Sequence, residues 1–92
     1  MLERAVELLA LEALAGQTDA RAARARNHAA VARDHALRDA ERGDSGAELL
    51  HTREARAHEG AARAIEQTAA LYRQRIEQVK IATQRLPDSG ET

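Results

Sequence analysis

The sequence contains no cysteine, no tryptophan and no phenylalanine, and it has one tyrosine and one proline. Without cysteine there is no disulfide framework, no zinc–thiolate site and no thiol nucleophile. With a single aromatic, Tyr72, a core built around large rings is excluded, and base-stacking recognition of nucleic acid is disfavoured. Leu, Ile and Val together supply only 16 of 92 positions, so large core fillers are scarce as well. β-Branched residues are few and never alternate with polar ones, which removes the signature of strands. Apolar runs reach four residues at most, as at residues 8–11, far short of a bilayer span. No basic leader precedes an apolar segment, so a cytoplasmic protein is the expectation. Glycine-rich phosphate loops, nucleophile elbows and zinc-peptidase motifs are absent.

What the chain does have is alanine, at 22 positions, and charge, at 32% of residues. The signs balance to a net charge of -1. Residues 1–16 sum to -2, residues 18–42 to +2, residues 43–64 to -1 and residues 65–92 to zero. Arg21, Arg24, Arg26 and Arg33 make one stretch locally basic, but Asp34, Asp39 and Glu41 follow at once. The reading is a solvated helix face, with nucleic acid not expected as a partner. Low net charge and strict periodicity favour long helix over a disordered coil.

Three helical segments are predicted, at about 2–15, 19–42 and 47–86. In the first, Leu2, Val6, Leu9 and Ala13 recur at four and three residues, with Ala5 and Leu8 widening the stripe. Gly16 breaks or weakens it, and Thr18 or Asp19 offers an N-cap to the second. The second carries a stripe of Ala22, Ala25, Ala29, Ala32 and Ala36, flanked by His28 and His35. Gly43, Asp44, Ser45 and Gly46 form a turn. Ser45 is placed to cap the third segment, with Glu48 completing a capping box. There Ile65, Tyr72, Val79 and Leu86 repeat every seven residues, and the same register reaches back to His58 and His51. A second row holds Ala55, Ala62, Ala69, Ile76 and Thr83. Pro87 stops the helix, and residues 87–92 form a flexible C-terminal tail.

Folding back at residues 43–46 pairs positions whose numbers sum to roughly 86–89, which sets His35 near His51 and His28 near His58. The same rule sets Leu2, Val6 and Leu9 near Leu86, Thr83 and Val79. The third segment spans about 60 Å, and only the first two together can cover it. The expected fold is therefore all-α, a single domain over residues 1–86: a long antiparallel hairpin with a break near Gly16. A three-helix bundle with a true reversal at Gly16 is the alternative. An alanine seam buries little, and Leu8, Leu11, Leu71 and Ile81 form exposed rows that need another surface. Dimerisation into a four-helix bundle meets that need, with Leu2, Val6, Leu9, Ile65, Tyr72, Ile76, Val79 and Leu86 as the assembly interface.

Two functions follow from different chemistry. One is a non-catalytic module for self-assembly or protein interaction, with no cofactor, a homo-oligomer of which the dimer is favoured, and a further protein partner unnamed. The other is a metal-binding bundle or small metalloenzyme. His28, His35, His51 and His58 make two layers mirrored about the turn, and Glu48 stands three residues before His51, as in Glu-x-x-His di-iron helices. Imidazoles of that kind suit zinc or iron. The carboxylate set is incomplete, because the only glutamate on the second segment, Glu41, lies at the turn. Histidines at a seam also fix register by hydrogen bonding, with no metal involved. Asp34 with Arg38, and Glu59 with Arg63, are acid-before-base pairs four residues apart on one helix.

Overall fold

The computed structural model describes residues 2–85; Leu86 and the 87–92 tail lie outside them. Two helices make up the fold, α1 (Leu2–Glu41) and α2 (Ser45–Arg85), packed antiparallel along their whole length. This is the all-α hairpin expected from the periodicity, and the described residues contain no strand. There is no break at Gly16: α1 runs through residues 16–19 without interruption, which also removes the three-helix alternative. A mid-helix glycine costs about 1 kcal/mol. A reversal there would take Leu8 and Leu11, half-buried in the continuous helix pair, away from α2, a larger loss.

The turn is three residues long. Asp44 N–H donates to Asp39 C=O (2.9 Å) and Gly43 N–H to Ala40 C=O (3.0 Å), the paired bonds of a Schellman closure. Gly43 supplies the left-handed residue it requires, at φ 75°. Asp44 then caps α2, its Oδ1 accepting from Ala47 N–H at 3.1 Å. Ser45 is already the first helical residue, so the expected Ser45–Glu48 capping box does not form. An aspartate immediately after the Schellman glycine reaches the next helix first. Thr18 does not cap either; its hydroxyl donates to Leu14 C=O at 2.6 Å within the unbroken helix.

The seam of α1 consists of Ala15, Thr18, Ala22, Ala25, Ala29, Ala32, Ala36 and Asp39, alternating three and four residues apart. Opposite it, α2 buries Ala55, Ala62, Ala69, Ile76 and Val79 and half-buries His51, His58, Ile65 and Tyr72. These are the a and d positions of an antiparallel coiled coil. Toward the chain ends, Leu8 and Leu11 join the seam half-buried, whereas Leu2, Val6 and Leu9 point outward, Leu2 being 79% exposed. The expected roles of these two sets of aliphatics are thus exchanged. Both stripes have helical spacing, but only the one through Leu8 and Leu11 continues in phase with the alanines from Ala15 to Ala36.

Candidate functional site

The flanks of the seam differ in chemistry. On one flank three ion pairs cross between the helices at seven-residue intervals: Asp19 with Arg73, Arg26 with Glu66, and Arg33 with Glu59. Arg26 donates through Nε and Nη2 to the two carboxylate oxygens of Glu66 (3.1 and 2.6 Å). Arg33 holds Glu59 in the same two-pronged way (2.8 and 2.6 Å). Antiparallel packing places like heptad positions against each other, so this ladder pins the register. Arg26 and Arg33 are therefore more than a solubilising face, and Glu59 bonds across the hairpin to Arg33 rather than along its own helix to Arg63. A guanidinium fork aimed from the facing helix gives two parallel bonds. The Asp34–Arg38 pair does form, at 2.8 Å. Among the described residues, the other flank has one crossing arginine–carboxylate pair, Glu7 with Arg75, at the end away from the turn.

The hydrogen bond from Arg33 holds the Glu59 carboxyl below the ordinary carboxylate range, and that from Arg26 does the same for Glu66. Both guanidinium groups are raised in turn. A carboxyl depressed in the folded state stabilises it above the unfolded pKa, and that contribution is lost as pH falls through the folded value. Thermal stability should therefore drop on acidification through and below the ordinary carboxylate range. In Glu59→Gln/Glu66→Gln that part of the drop should vanish, as read by circular dichroism melts across pH 3–6. An unchanged acid slope in the double variant would dissociate the ladder from stability. High salt should shrink the same difference, because the groups are exposed.

The histidines lie on the second flank, toward the turn. His28 meets His58 with ring centroids 5.2 Å apart, and His35 meets His51 at 5.1 Å, both edge to face. Both pairings are those predicted from the fold-back. His51 makes a further contact that the sequence reading did not include: its Nδ1 lies 2.5 Å from Asp39 Oδ2. Asp39 is 2% exposed, and its other oxygen accepts from Arg42. A carboxylate only accepts, so the imidazole proton of this bond sits on Nδ1. The clue was present, since Asp39 continues the row Ala25, Ala32 by one heptad.

His35, Arg38, Asp39, Arg42 and His51 line an open cleft of about 270 Å³ at the turn end. That lining includes an Asp–His pair but no hydroxyl or thiol nucleophile. Glu48, grouped with the histidines on sequence spacing, instead borders a separate hollow with Arg33, Ala36, Leu37, Ala40 and Thr52. Among the described residues no three His, Asp or Glu side chains converge as a metal-ligand group. The arrangement does visible structural work: one buried carboxylate ties the end of α1, through Arg42, to the first turns of α2, through His51.

The other predicted site residues divide by position. Ile76 and Val79 are buried inside the single chain, and Ile65 and Tyr72 are half-buried at its seam. Leu2, Val6 and Leu9 are exposed. No helix among the described residues is long and apolar enough to cross a membrane. Compared with known protein families, curated proteins and solved structures, the chain matches none.

Proposed function

We propose that this protein is a non-catalytic helical assembly module that homodimerises, joining two hairpins into a four-helix bundle. The observation that carries the reading is an inverted distribution of side chains. Among the described residues, nine of the eleven fully buried apolar residues are alanines, while ten Leu, Val and Ile side chains are exposed. Each alanine removes one methyl from water, worth about 0.8 kcal/mol, so the seam alone is a weak source of stability. Two helices bury only the line between them. The accessible surface is 6786 Å². A folded monomer of this mass would expose about 5,200 Å². A second chain covering the outward leucines and valines supplies the missing burial.

Sedimentation equilibrium tests this directly. At micromolar concentration the mass should be twice the 10.0 kDa of one chain. A fully helical species that stays at 10.0 kDa up to roughly 100 µM would overturn the proposal, since association worth as little as about 5.5 kcal/mol would show there.

A further inference from the structure

Two histidine pairs bridge the helices on the second flank, where α1 supplies His28 and His35 and α2 supplies His58 and His51. The two layers are seven residues apart, about 10 Å along the helix axes at 1.5 Å per residue, so no single ion reaches both. The geometry of two imidazoles on one ion fits each layer. With Zn–N bonds of about 2.0–2.1 Å, two imidazoles held at a tetrahedral angle place their ring centres about 5.2 Å apart. The observed separations are 5.1 Å for His35 with His51 and 5.2 Å for His28 with His58. Spacing alone therefore suits both layers, and their surroundings separate them.

At His51 the buried Asp39 carboxylate accepts the proton on Nδ1, and Nε2, on the far side of the ring, keeps its lone pair. A carboxylate placed in this way fixes the tautomer of a metal-bound imidazole and raises its basicity. Among the described residues no carboxylate does the same for His28 or His58. Asp39 holds the His51 ring in place, whereas His35 is exposed and able to turn about its Cβ–Cγ bond. The axis of that bond runs close to the ring centre, so the turn re-aims a nitrogen and leaves the spacing almost unchanged. The cleft that the two rings line has a volume of about 270 Å³, room for an ion and its waters. Its two arginines are already paired, Arg38 with Asp34 and Arg42 with Asp39, so neither stands as an uncompensated cation beside the site. We propose that His51 Nε2 and a ring nitrogen of His35 bind one divalent transition cation of the zinc class, with water completing its coordination. Two protein ligands make an open, exchangeable site, short of the three or four of a catalytic or structural zinc centre. The bound ion clips α1 to α2 close to the turn. Both ligands come from one chain, so the site goes beyond the self-assembly reading and does not depend on it.

Titration of the full, untagged chain with Zn2+ tests the site. The first equivalent should shift the imidazole nitrogen resonances of His35 and His51 ahead of those of His28 and His58. Zinc at about ten times its dissociation constant should raise the melting midpoint by about 5–10 °C, because the ion binds the folded hairpin in preference to the unfolded chain. His35→Ala removes a ligand that is exposed in the hairpin, so helix content should be retained while zinc affinity falls about ten-fold or more. Asp39→Ala leaves both ligands in place and should weaken binding about 10–100-fold. In the metal-free form of that variant the nitrogen spectrum should show His51 released from the Nδ1–H tautomer, a change that loss of stability alone does not produce. First shifts at His28 and His58, wild-type affinity in His35→Ala, or no saturable binding up to about 100 µM Zn2+ would each overturn the site.

Discussion

Replacing Ala62 with aspartate should cost about 3–5 kcal/mol and unfold the hairpin at ordinary temperatures, because it buries a carboxylate with no partner. Ala62 is 0% exposed and sits at the middle of α2, in the seam that α1 lines with Ala22, Ala25 and Ala29. The acidic groups of the adjoining ladder already occupy Arg26 and Arg33. A carboxylate at Ala62 must either stay unpaired or push the helices apart where small side chains let them close. The comparison is Ala64→Asp, two residues away and exposed, which should change stability by no more than about 0.5 kcal/mol beyond its helix-propensity term. Thermal melts followed by circular dichroism read both. Equal effects at the two positions would mean that α2 does not present Ala62 to α1.

The second large effect is expected at Asp39. Asp39→Ala removes the acceptor shared by Arg42 and His51 and should cost about 1–3 kcal/mol. The loss stays below that of a fully buried ion pair because the Arg42 side chain is 66% exposed and His51 34%, so water takes over their hydration. The diagnostic measurement is a double-mutant cycle with His51→Ala. If the carboxylate acts through His51, the two losses overlap by at least about 0.5 kcal/mol. Strict additivity would show that the 2.5 Å contact adds nothing to stability. Helix content should survive in the single variants, because the Schellman bonds use the Asp39 carbonyl, which the substitution leaves in place.

How much of this was legible differs from residue to residue. The pairing of His28 with His58 and of His35 with His51 followed from one turn and one register. The alanine stripe from Ala22 to Ala36 is buried as its spacing predicted. Asp39 went unnoticed because an aspartate is not a usual seam residue, and only the geometry of Arg42 and His51 explains why it is tolerated there. The ion-pair ladder escaped for a related reason. Arginines within one segment read as a surface property until the facing glutamates are brought into register.

The sequence by itself determined that the chain is helical, where it turns, and that its two halves run antiparallel in a particular register. Those features rest on composition, a seven-residue repeat and local turn chemistry, all of which act over short distances. Only the tertiary structure decided which of the two apolar stripes of α1 faces α2, and that α1 passes Gly16 unbroken. The reason is physical. A helix with apolar residues on opposite sides has two equivalent docking faces as far as periodicity goes, and the choice is made by which one keeps in phase with the partner over the whole length of the helix. A glycine's local preference of about 1 kcal/mol is likewise overridden when a continuous helix keeps Leu8 and Leu11 half-buried against α2.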